Sequence, residues 1–182
     1  MKTIYIVRHA KAEGQSFHSP LTETGESQAI QLASFLENRY IQSIYSSPFV
    51  RARETIAPFA KQSGLTIQVD ARLGERVLSD HDLPDWKDKL KESFDDFSLS
   101  FPGGESNQMA MDRAISFIDE VTSNDEDQIV CVSHGNLTTL LLRLFDENYG
   151  YDELFALSNP DVYVVKVKEN EASVHRIWSK EN

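Results

Sequence analysis

The sequence predicts a single α/β domain, and two observations lead to this class. Strand-like and helix-like segments alternate along the 182 residues without a Pro/Gly/Ser-rich linker or an internal repeat. Two strand-like runs, Ile4–Ala10 and Ile129–Asn136, each carry a histidine at their end. Ligands of open parallel sheets bind beyond the carboxyl ends of the strands, so both imidazoles are predicted to meet at one sheet edge. The chain is therefore predicted to be an enzyme.

In the first half of the chain, each element follows from the spacing of its apolar residues. The predicted elements are, in order, a buried strand over 3–7, a helix over 26–39, a short strand over 43–45, a helix from 46–48 to about 62, and a strand over 65–69. Thr22 or Thr24 is expected to cap the first helix. Gly64 stands where the second helix is expected to end.

The second half begins with an irregular acidic and aromatic stretch. Residues 76–101 are predicted to form an insertion of short helix and loop over the functional site, within a single domain that spans 1–182. The remaining predicted elements are, in order, a helix after the Pro-Gly-Gly break at 102–104 that carries Met109, Ala110, Ala114, Phe117, Ile118 and Val121, the strand of the second histidine, a helix over 137–145, and strands over 162–167 and 173–177.

The composition limits the classes of partner. A net charge of -11 argues against nucleic acid and against anionic membranes, because both attract clustered Lys and Arg. No apolar run approaches the ~20 residues that span a bilayer, and no signal-like apolar core follows the first residues, so a cytoplasmic protein is expected. Cys131 lies in an apolar strand pattern and is expected to be buried and inert. No His/Cys spacing typical of a zinc site is present, and no metal or other cofactor is expected.

Two arginines are expected to join the histidines at the sheet edge. Arg8 precedes His9 at the end of the first strand, and Arg51 lies in the first turns of the second helix. Guanidinium groups donate paired hydrogen bonds to phosphates or carboxylates, and a helix N-terminus favours an anion. Two histidines in such an anion pocket suggest a nucleophile that attacks phosphorus and a second imidazole that holds the transferring oxygens. A carboxylic acid must then protonate the leaving oxygen.

The motifs that carry these residues resemble those of a known family. They are, in order, Val7-Arg8-His9, the loop Ser19-Pro20-Leu21-Thr22-Glu23-Thr24-Gly25, Ser46-Ser47-Pro48 with Arg51-Ala52 and Glu54-Thr55, Pro102-Gly103-Gly104-Glu105-Ser106, and Ser133-His134-Gly135. The chain resembles the histidine phosphatase superfamily, the phosphoglycerate mutase-like family, over most of its length. That resemblance implies a three-layer α/β/α sandwich around a mostly parallel sheet, with no metal required.

The same resemblance implies a role for each matched residue. His9 would be the nucleophile that becomes phosphohistidine, and Arg8, Arg51 and His134 would hold the phosphoryl group. Glu75 matches the family's acid position and would protonate the leaving group, then activate water. The implied activity is that of a histidine acid phosphatase-type phosphomonoesterase acting on a small-molecule phosphate ester.

Two departures from the family pattern affect this interpretation. Ala10 stands where the family usually has Gly, which we expect the fold to tolerate. The usual Trp-Asn pair and the longer Gly-rich segment after the first histidine are absent, and Gln15 or Ser16 is predicted to supply the missing phosphate donors. The short segment, together with the lack of the long insertions of true mutases, favours a phosphatase, since a mutase must exclude water from its phosphorylated intermediate.

Competing interpretations concern both the acid and the function. Asp80, Asp82 and Glu105 are other carboxylates that could fold over the pocket in place of Glu75. His18, His81 and His175 are expected to be ordinary surface or core residues, although the first two could line the rim. The alternative functions are mutase-type phosphoryl transfer, a phosphohistidine protein phosphatase and a phosphoryl-binding protein without turnover. The oligomeric state is not predicted.

Overall fold

A mixed sheet of six strands organises the computed structural model, which describes residues 1–169 and 171–179. The strands are β1 (Lys2–Arg8), β2 (Ser43–Ser46), β3 (Ile67–Val69), β4 (Gln128–Ser133), β5 (Asp161–Lys168) and β6 (Glu171–Arg176). The helices are α1 (Glu23–Leu36), α2 (Val50–Ser63), α3 (Trp86–Asp95), α4 (Asn107–Ser123), α5 (Gly135–Arg143) and α6 (Tyr151–Ala156). A short 3-10 turn spans Ala71–Leu73.

The strand order is β3-β2-β4-β1-β5-β6. The first four strands in this order pair in parallel, whereas β5 joins β1, and β6 joins β5, antiparallel. The mostly parallel α/β sheet predicted from the sequence is therefore confirmed. In the register of β1 and β4, Arg8 lies opposite Ser133, so the two histidines that follow these residues leave neighbouring strands at the same level.

Helices cover both faces of the sheet because the central strands are apolar on both sides, as parallel sheets usually are. Ile4 and Ile6 of β1 pack in the core beneath α4 and α5, while Tyr5 and Val7 face α1 and α2. Each fully buried aliphatic side chain of this kind contributes about 1.5–3 kcal/mol. These two cores hold the carboxyl edge of the sheet, and hence the site, in a fixed position.

Most helix and strand boundaries in the structure lie within a few residues of those predicted from the sequence. Thr22 caps α1 by accepting the N–H of Gly25 at 3.0 Å, and α1 begins three residues earlier than the predicted 26 and ends at Leu36. Gly64 ends α2 in the left-handed conformation, with φ 74°, as predicted. The third strand is shorter than the predicted 65–69.

One element was missed in the sequence. Helix α6 was not predicted, because six residues are too few for a clear periodic signal. Helix α4 carries the apolar residues predicted for it. Met109 among them is 56% exposed, whereas Asn107 and Ala110 on either side of it are fully buried.

The stretch over 76–101 contains one helix, α3, between irregular segments. It is tied down by Arg76, whose guanidinium donates to the Glu105 carbonyl at 2.8 Å and to Ser93 Oγ at 2.9 Å. Leu90 of α3 is buried in the core. Within the two described ranges of the chain, no helix has the length and apolar character that a membrane-spanning helix needs.

Candidate active site

Three neighbouring parallel strands deliver polar side chains to one edge of the sheet. His9 follows β1, His134 follows β4 and Ser47 follows β2. The sheet ladder continues one step past the strand ends, since the His9 N–H donates to the Ser133 carbonyl at 3.0 Å and the Ser47 N–H to the Val132 carbonyl at 2.9 Å. The backbone of this edge is thus as firmly positioned as the sheet itself. The predicted meeting of the two histidines is confirmed, with ring centroids 5.1 Å apart.

The His9 ring is held in one orientation by its own backbone. Its Nδ1 lies 2.7 Å from the Ala10 carbonyl oxygen, so this nitrogen carries the proton and donates it. The other nitrogen, Nε2, accepts a hydrogen bond from Arg51 Nε at 3.2 Å. Burial lowers the pKa of His9 to about 3, and the positive charges of Arg51 and Arg8 add to this effect. At neutral pH the ring therefore presents an unprotonated Nε2 beside a guanidinium group.

The turn that carries His9 is fixed from three directions. The Ala10 N–H donates to Thr55 Oγ1 at 2.9 Å, and Asn159 Nδ2 donates to the His9 carbonyl at 2.8 Å. The Ala10 methyl group is fully buried against Leu21 and Ala29 in a small cluster of its own. The alanine that replaces the usual glycine is accommodated because its side chain fills this cluster.

Arg51 connects His9 to the loop before α1. The residue is 1% exposed, and its Nη1 donates to the backbone carbonyls of Gln15 at 3.2 Å and Ser16 at 2.8 Å. Burial lowers the pKa of Arg51, and the negative charge of Glu75 partly offsets this. Arg51 therefore contacts His9 directly and lies near the charge of Glu75.

His134 and Arg8 each have a buried polar atom that makes no hydrogen bond within the described ranges. His134 Nε2 lies 2.7 Å from Ser47 Oγ, and burial, followed by the nearby positive groups, holds the pKa of His134 well below its ordinary value. Arg8 Nη1 donates to the Leu157 carbonyl at 3.1 Å. His134 Nδ1 and Arg8 Nε are buried and have no hydrogen-bond partner within the described ranges. Buried polar atoms of native proteins are nearly always paired, so these two atoms suit an anionic ligand.

The carboxylate of Glu75 lies at the N-terminus of α5, the helix that begins directly after His134. Its Oε2 accepts the N–H of Asn136 at 3.1 Å, and its Oε1 accepts the N–H of Leu137 at 3.0 Å and that of Arg76 at 2.9 Å. A carboxylate in this position satisfies free N–H groups of the first helical turn and interacts favourably with the helix dipole. Glu75 also raises the pKa of Arg8 against the lowering effect of burial, which places it beside the arginines.

The other three candidate carboxylates are ion-paired or exposed to solvent. Glu105 forms an ion pair with Arg113 at 2.7 Å. Asp80 is exposed and pairs with His81, and Asp82 is exposed as well. Of the four carboxylates considered from the sequence, Glu75 alone is among the described residues that line the cavity at the cluster.

This cavity has a volume of about 520 Å³. Its lining residues, apart from Glu75, are Arg8, Gln15, Arg76, Leu78, Trp86, Leu90, Gly135, Asn136, Leu154 and Phe155. Trp86 and Leu90 come from the 76–101 stretch, and Leu154 and Phe155 come from α6. The cavity wall therefore combines charged and polar groups with large apolar side chains.

The two residues predicted to replace missing phosphate donors differ in position. Gln15 lines the cavity. The hydroxyl of Ser16 forms a hydrogen bond with Ser19 Oγ at 2.8 Å, and its carbonyl accepts one from Arg51. Ser16 is not among the described residues that line the cavity. Phosphate binding by either residue stays a prediction.

The remaining ionisable groups lie outside the cluster. His18, His81 and His175 are exposed. Cys131 is fully buried, and burial raises the pKa of its thiol to about 12, which agrees with an inert core residue. Among residues 1–169 and 171–179, the His, Cys, Asp and Glu side chains form no group of three that could hold a metal ion.

Sequence reasoning gave no role to three residues that position the site. Ser47 and Thr55 lie in motifs that were noted, but only their contacts with His134 and with the Ala10 N–H show what they do. Asn159 lies 150 residues from His9 in the chain, and the only local signal there is the Asn-Pro pair that is typical of a turn.

Comparison with known proteins agrees with this arrangement. The model of the histidine phosphatase superfamily (branch 1) matches residues 4–180. Phosphoserine phosphatase 1 of Hydrogenobacter thermophilus is 31% identical over 155 residues, which cover 74% of this chain and 71% of the relative. The "Probable phosphoglycerate mutase GpmB" of Escherichia coli O1:K1 / APEC is 31% identical over 154 residues, 74% of this chain and 70% of the relative.

A solved structure shows the same fold at lower identity. The mycobacterial glucosyl-3-phosphoglycerate phosphatase Rv2419c, in its complex with inorganic phosphate, superposes with a TM-score of 0.78 at 21% identity. The match covers 98% of this chain and 96% of that one. The three-layer α/β/α sandwich expected from the resemblance is therefore confirmed.

Proposed function

Because the chain belongs to the histidine phosphatase superfamily, we propose that it is a metal-independent phosphomonoesterase that hydrolyses phosphorylated small molecules through a phosphohistidine on His9. One observation carries this proposal. The Ala10 carbonyl fixes the proton of His9 on Nδ1, and burial keeps the ring neutral, so Nε2 is available as a nucleophile among groups that attract a phosphoryl anion.

In the first step, the Nε2 lone pair of His9 attacks phosphorus in line with the ester oxygen. The Nε2–P bond forms as the P–O ester bond breaks, and the carboxylic acid of Glu75 gives its proton to the departing oxygen. Arg8, Arg51 and His134 stabilise the charge on the equatorial oxygens. The unpartnered Arg8 Nε and His134 Nδ1 support this assignment, because both would gain a partner.

In the second step, the Glu75 carboxylate takes a proton from water as the water oxygen attacks phosphorus. The Nε2–P bond breaks, inorganic phosphate is released and His9 returns to its neutral form. Glu75 serves as acid and then as base, so it must exchange protons while it keeps its contacts with the N-terminus of α5. Glu75 lines the cavity, which gives water a path to this carboxylate.

A mutase is the second candidate, and the similarity to the relative called GpmB favours it. A mutase must return the phosphoryl group to its substrate and exclude water meanwhile. The similarity to phosphoserine phosphatase 1 and the open cavity support hydrolysis instead. Incubation with 3-phosphoglycerate separates the two candidates, because a mutase forms 2-phosphoglycerate whereas a phosphatase releases phosphate.

The direct test is hydrolysis of p-nitrophenyl phosphate in the presence of EDTA. We expect turnover by the unaltered protein and by His175→Ala, a matched control at an exposed histidine on β6, and none by His9→Ala. Rapid quenching should trap an acid-labile, base-stable phosphoenzyme that His9→Ala lacks. Turnover that persists in His9→Ala, or that requires a metal ion, would overturn the proposal.

Two finer expectations belong to the same proposal. The acid phosphatase-type assignment requires activity that persists below neutral pH, which the low pKa of His9 supports because the nucleophile stays unprotonated there. A pH profile from 4 to 9 tests it. The cytoplasmic location stays a prediction that cell fractionation tests.

A further inference from the structure

From the apolar residues of the active-site cavity wall we infer that the substrate's leaving group is an alkyl or aromatic group that packs against Trp86 and Phe155. This inference rests on the proposed function, because it assumes that the phosphoryl group binds among the polar residues of the same cavity. It goes further by naming the chemistry of the group released.

The cavity wall is made of two kinds of residue. Arg8, Glu75 and Asn136 contribute polar groups, and Glu75 accepts the N–H of Asn136, two residues after His134. The remaining wall is formed largely by apolar side chains of three segments, namely Leu78, Trp86, Leu90, Leu154 and Phe155. In the proposed mechanism Glu75 protonates the bridging oxygen, so the leaving group begins at Glu75. Because Glu75 lines the same cavity as these apolar side chains, the leaving group lies among them.

Trp86 of α3 and Phe155 of α6 stack on each other. Their ring centroids are 6.4 Å apart with an interplanar angle of 30°, and the residues are 45% and 48% exposed. Large aromatic side chains left half exposed at a concave site are typical of ligand-binding surfaces. Covering them with an apolar group removes further apolar area from water, which favours binding.

The wall offers few cations to an acidic leaving group. Arg8 is assigned to the phosphoryl group and lies beside Glu75. Arg76 is 4% exposed and donates to the Glu105 carbonyl and Ser93 Oγ, and its Nη2 has no partner within the described ranges. Among the described lining residues, the only cations are these two arginines. A carboxylate on the leaving group would thus compete with the apolar wall through Arg76 Nη2 alone, and an acidic comparison substrate tests that contact.

The test is a series of alkyl phosphates of increasing length, with ethyl, butyl and hexyl phosphate as substrates and phosphoserine as the acidic comparison. The leaving-group chemistry is the same along the series, so a change in kcat/KM reports binding of the chain. Each methylene that becomes fully buried raises kcat/KM by up to about fourfold. If about two of its four additional methylenes are buried, hexyl phosphate should exceed ethyl phosphate by roughly tenfold or more. It should also exceed phosphoserine.

Substitution of the two aromatic residues shows which side chains cause the dependence of kcat/KM on chain length. Trp86→Ala and Phe155→Ala should flatten the dependence on chain length, whereas Ile30→Ala, at an exposed apolar residue of α1 outside the cavity wall, should keep it. Thermal unfolding confirms that each variant is folded. A preference for phosphoserine, or a chain-length dependence that survives both aromatic substitutions, overturns the inference.

The outcome also separates this inference from the proposed function. If phosphoserine is hydrolysed through a phosphohistidine but longer alkyl chains bring no gain, the phosphatase mechanism stands and the apolar leaving-group site is wrong. If none of the esters is hydrolysed and no phosphohistidine forms, both fail together.

Discussion

Glu75→Gln separates two roles of one carboxylate, the proposed general acid catalysis and the contacts with the first turn of α5. The substitution keeps the size of the side chain but removes the exchangeable proton. General acid catalysis by a positioned carboxyl group contributes about 10²–10⁴-fold to a rate. The loss should depend on the leaving group, because p-nitrophenolate departs without a proton whereas an alkoxide does not. We expect kcat to fall about 10²–10⁴-fold for hexyl phosphate and much less for p-nitrophenyl phosphate.

The same variant should lower stability, because both oxygens of Glu75 accept backbone N–H groups at the start of α5. A glutamine offers one carbonyl oxygen and turns an amide N–H₂ towards the other donors. One buried N–H without an acceptor costs about 1–3 kcal/mol. For a domain of this size the melting temperature should fall by roughly 2–12 °C, which leaves the protein folded.

Glu105→Gln is the matched control. It removes a carboxylate that the sequence left open as the acid, but one that the structure pairs with Arg113. Steady-state kinetics on both esters, with thermal unfolding of each variant, provide the assay. An equal loss on both esters in Glu75→Gln would refute its role as the acid. A leaving-group-dependent loss in Glu105→Gln would move that role to Glu105.

Three further predictions follow from the site and the core. The imidazole NMR signals of His9 should not titrate between pH 8 and 4, since the folded pKa of about 3 lies below the ordinary 6.5. Protonation of His9 opposes folding, so its contribution to stability is full above pH 6.5 and declines as the pH falls towards 3; a titration midpoint near 6.5 would contradict this. Arg51→Lys should lower kcat/KM by about 10²-fold, because an ammonium group cannot contact His9 and the Gln15 and Ser16 carbonyls together; near-normal kinetics would contradict the assignment. Cys131 should resist alkylation at pH 8 until the protein unfolds, because burial raises the pKa of its thiol to about 12; rapid labelling of the folded protein would show the thiol to be accessible.

Local patterns were sufficient for most secondary structure. The strand of His9 and the end of α2 at Gly64 depend on residues close in sequence, and both were predicted correctly. The cap of α1 is Thr22, one of the two residues predicted for it. Helix α6 was missed because its length is less than two turns. Its residue Phe155 forms part of the cavity, so this omission also hid the apolar wall.

What the sequence by itself determined is the chemistry available at the sheet edge. The placement of His9 and His134 at strand ends follows from hydrophobic patterning, and parallel pairing then brings the two rings together. Arg8 and Arg51 followed from their places at the end of the first strand and in the first turns of the second helix, and these inferences needed only residue types, their order and the geometry common to all α/β sheets. Glu75 was added through resemblance to a family.

The tertiary structure decided which partners each group has. Three contacts illustrate this. The Ala10 carbonyl sets the tautomer of His9, Asn159 donates to the His9 carbonyl, and Glu75 accepts backbone N–H groups of α5. Each contact joins residues across a turn or across distant parts of the chain. Such contacts depend on strand order and on how loops pack, and no periodic pattern in the sequence encodes them. For the same reason, the apolar wall beside the proposed phosphoryl site could not be predicted, because it forms only where α3 and α6 pack side by side.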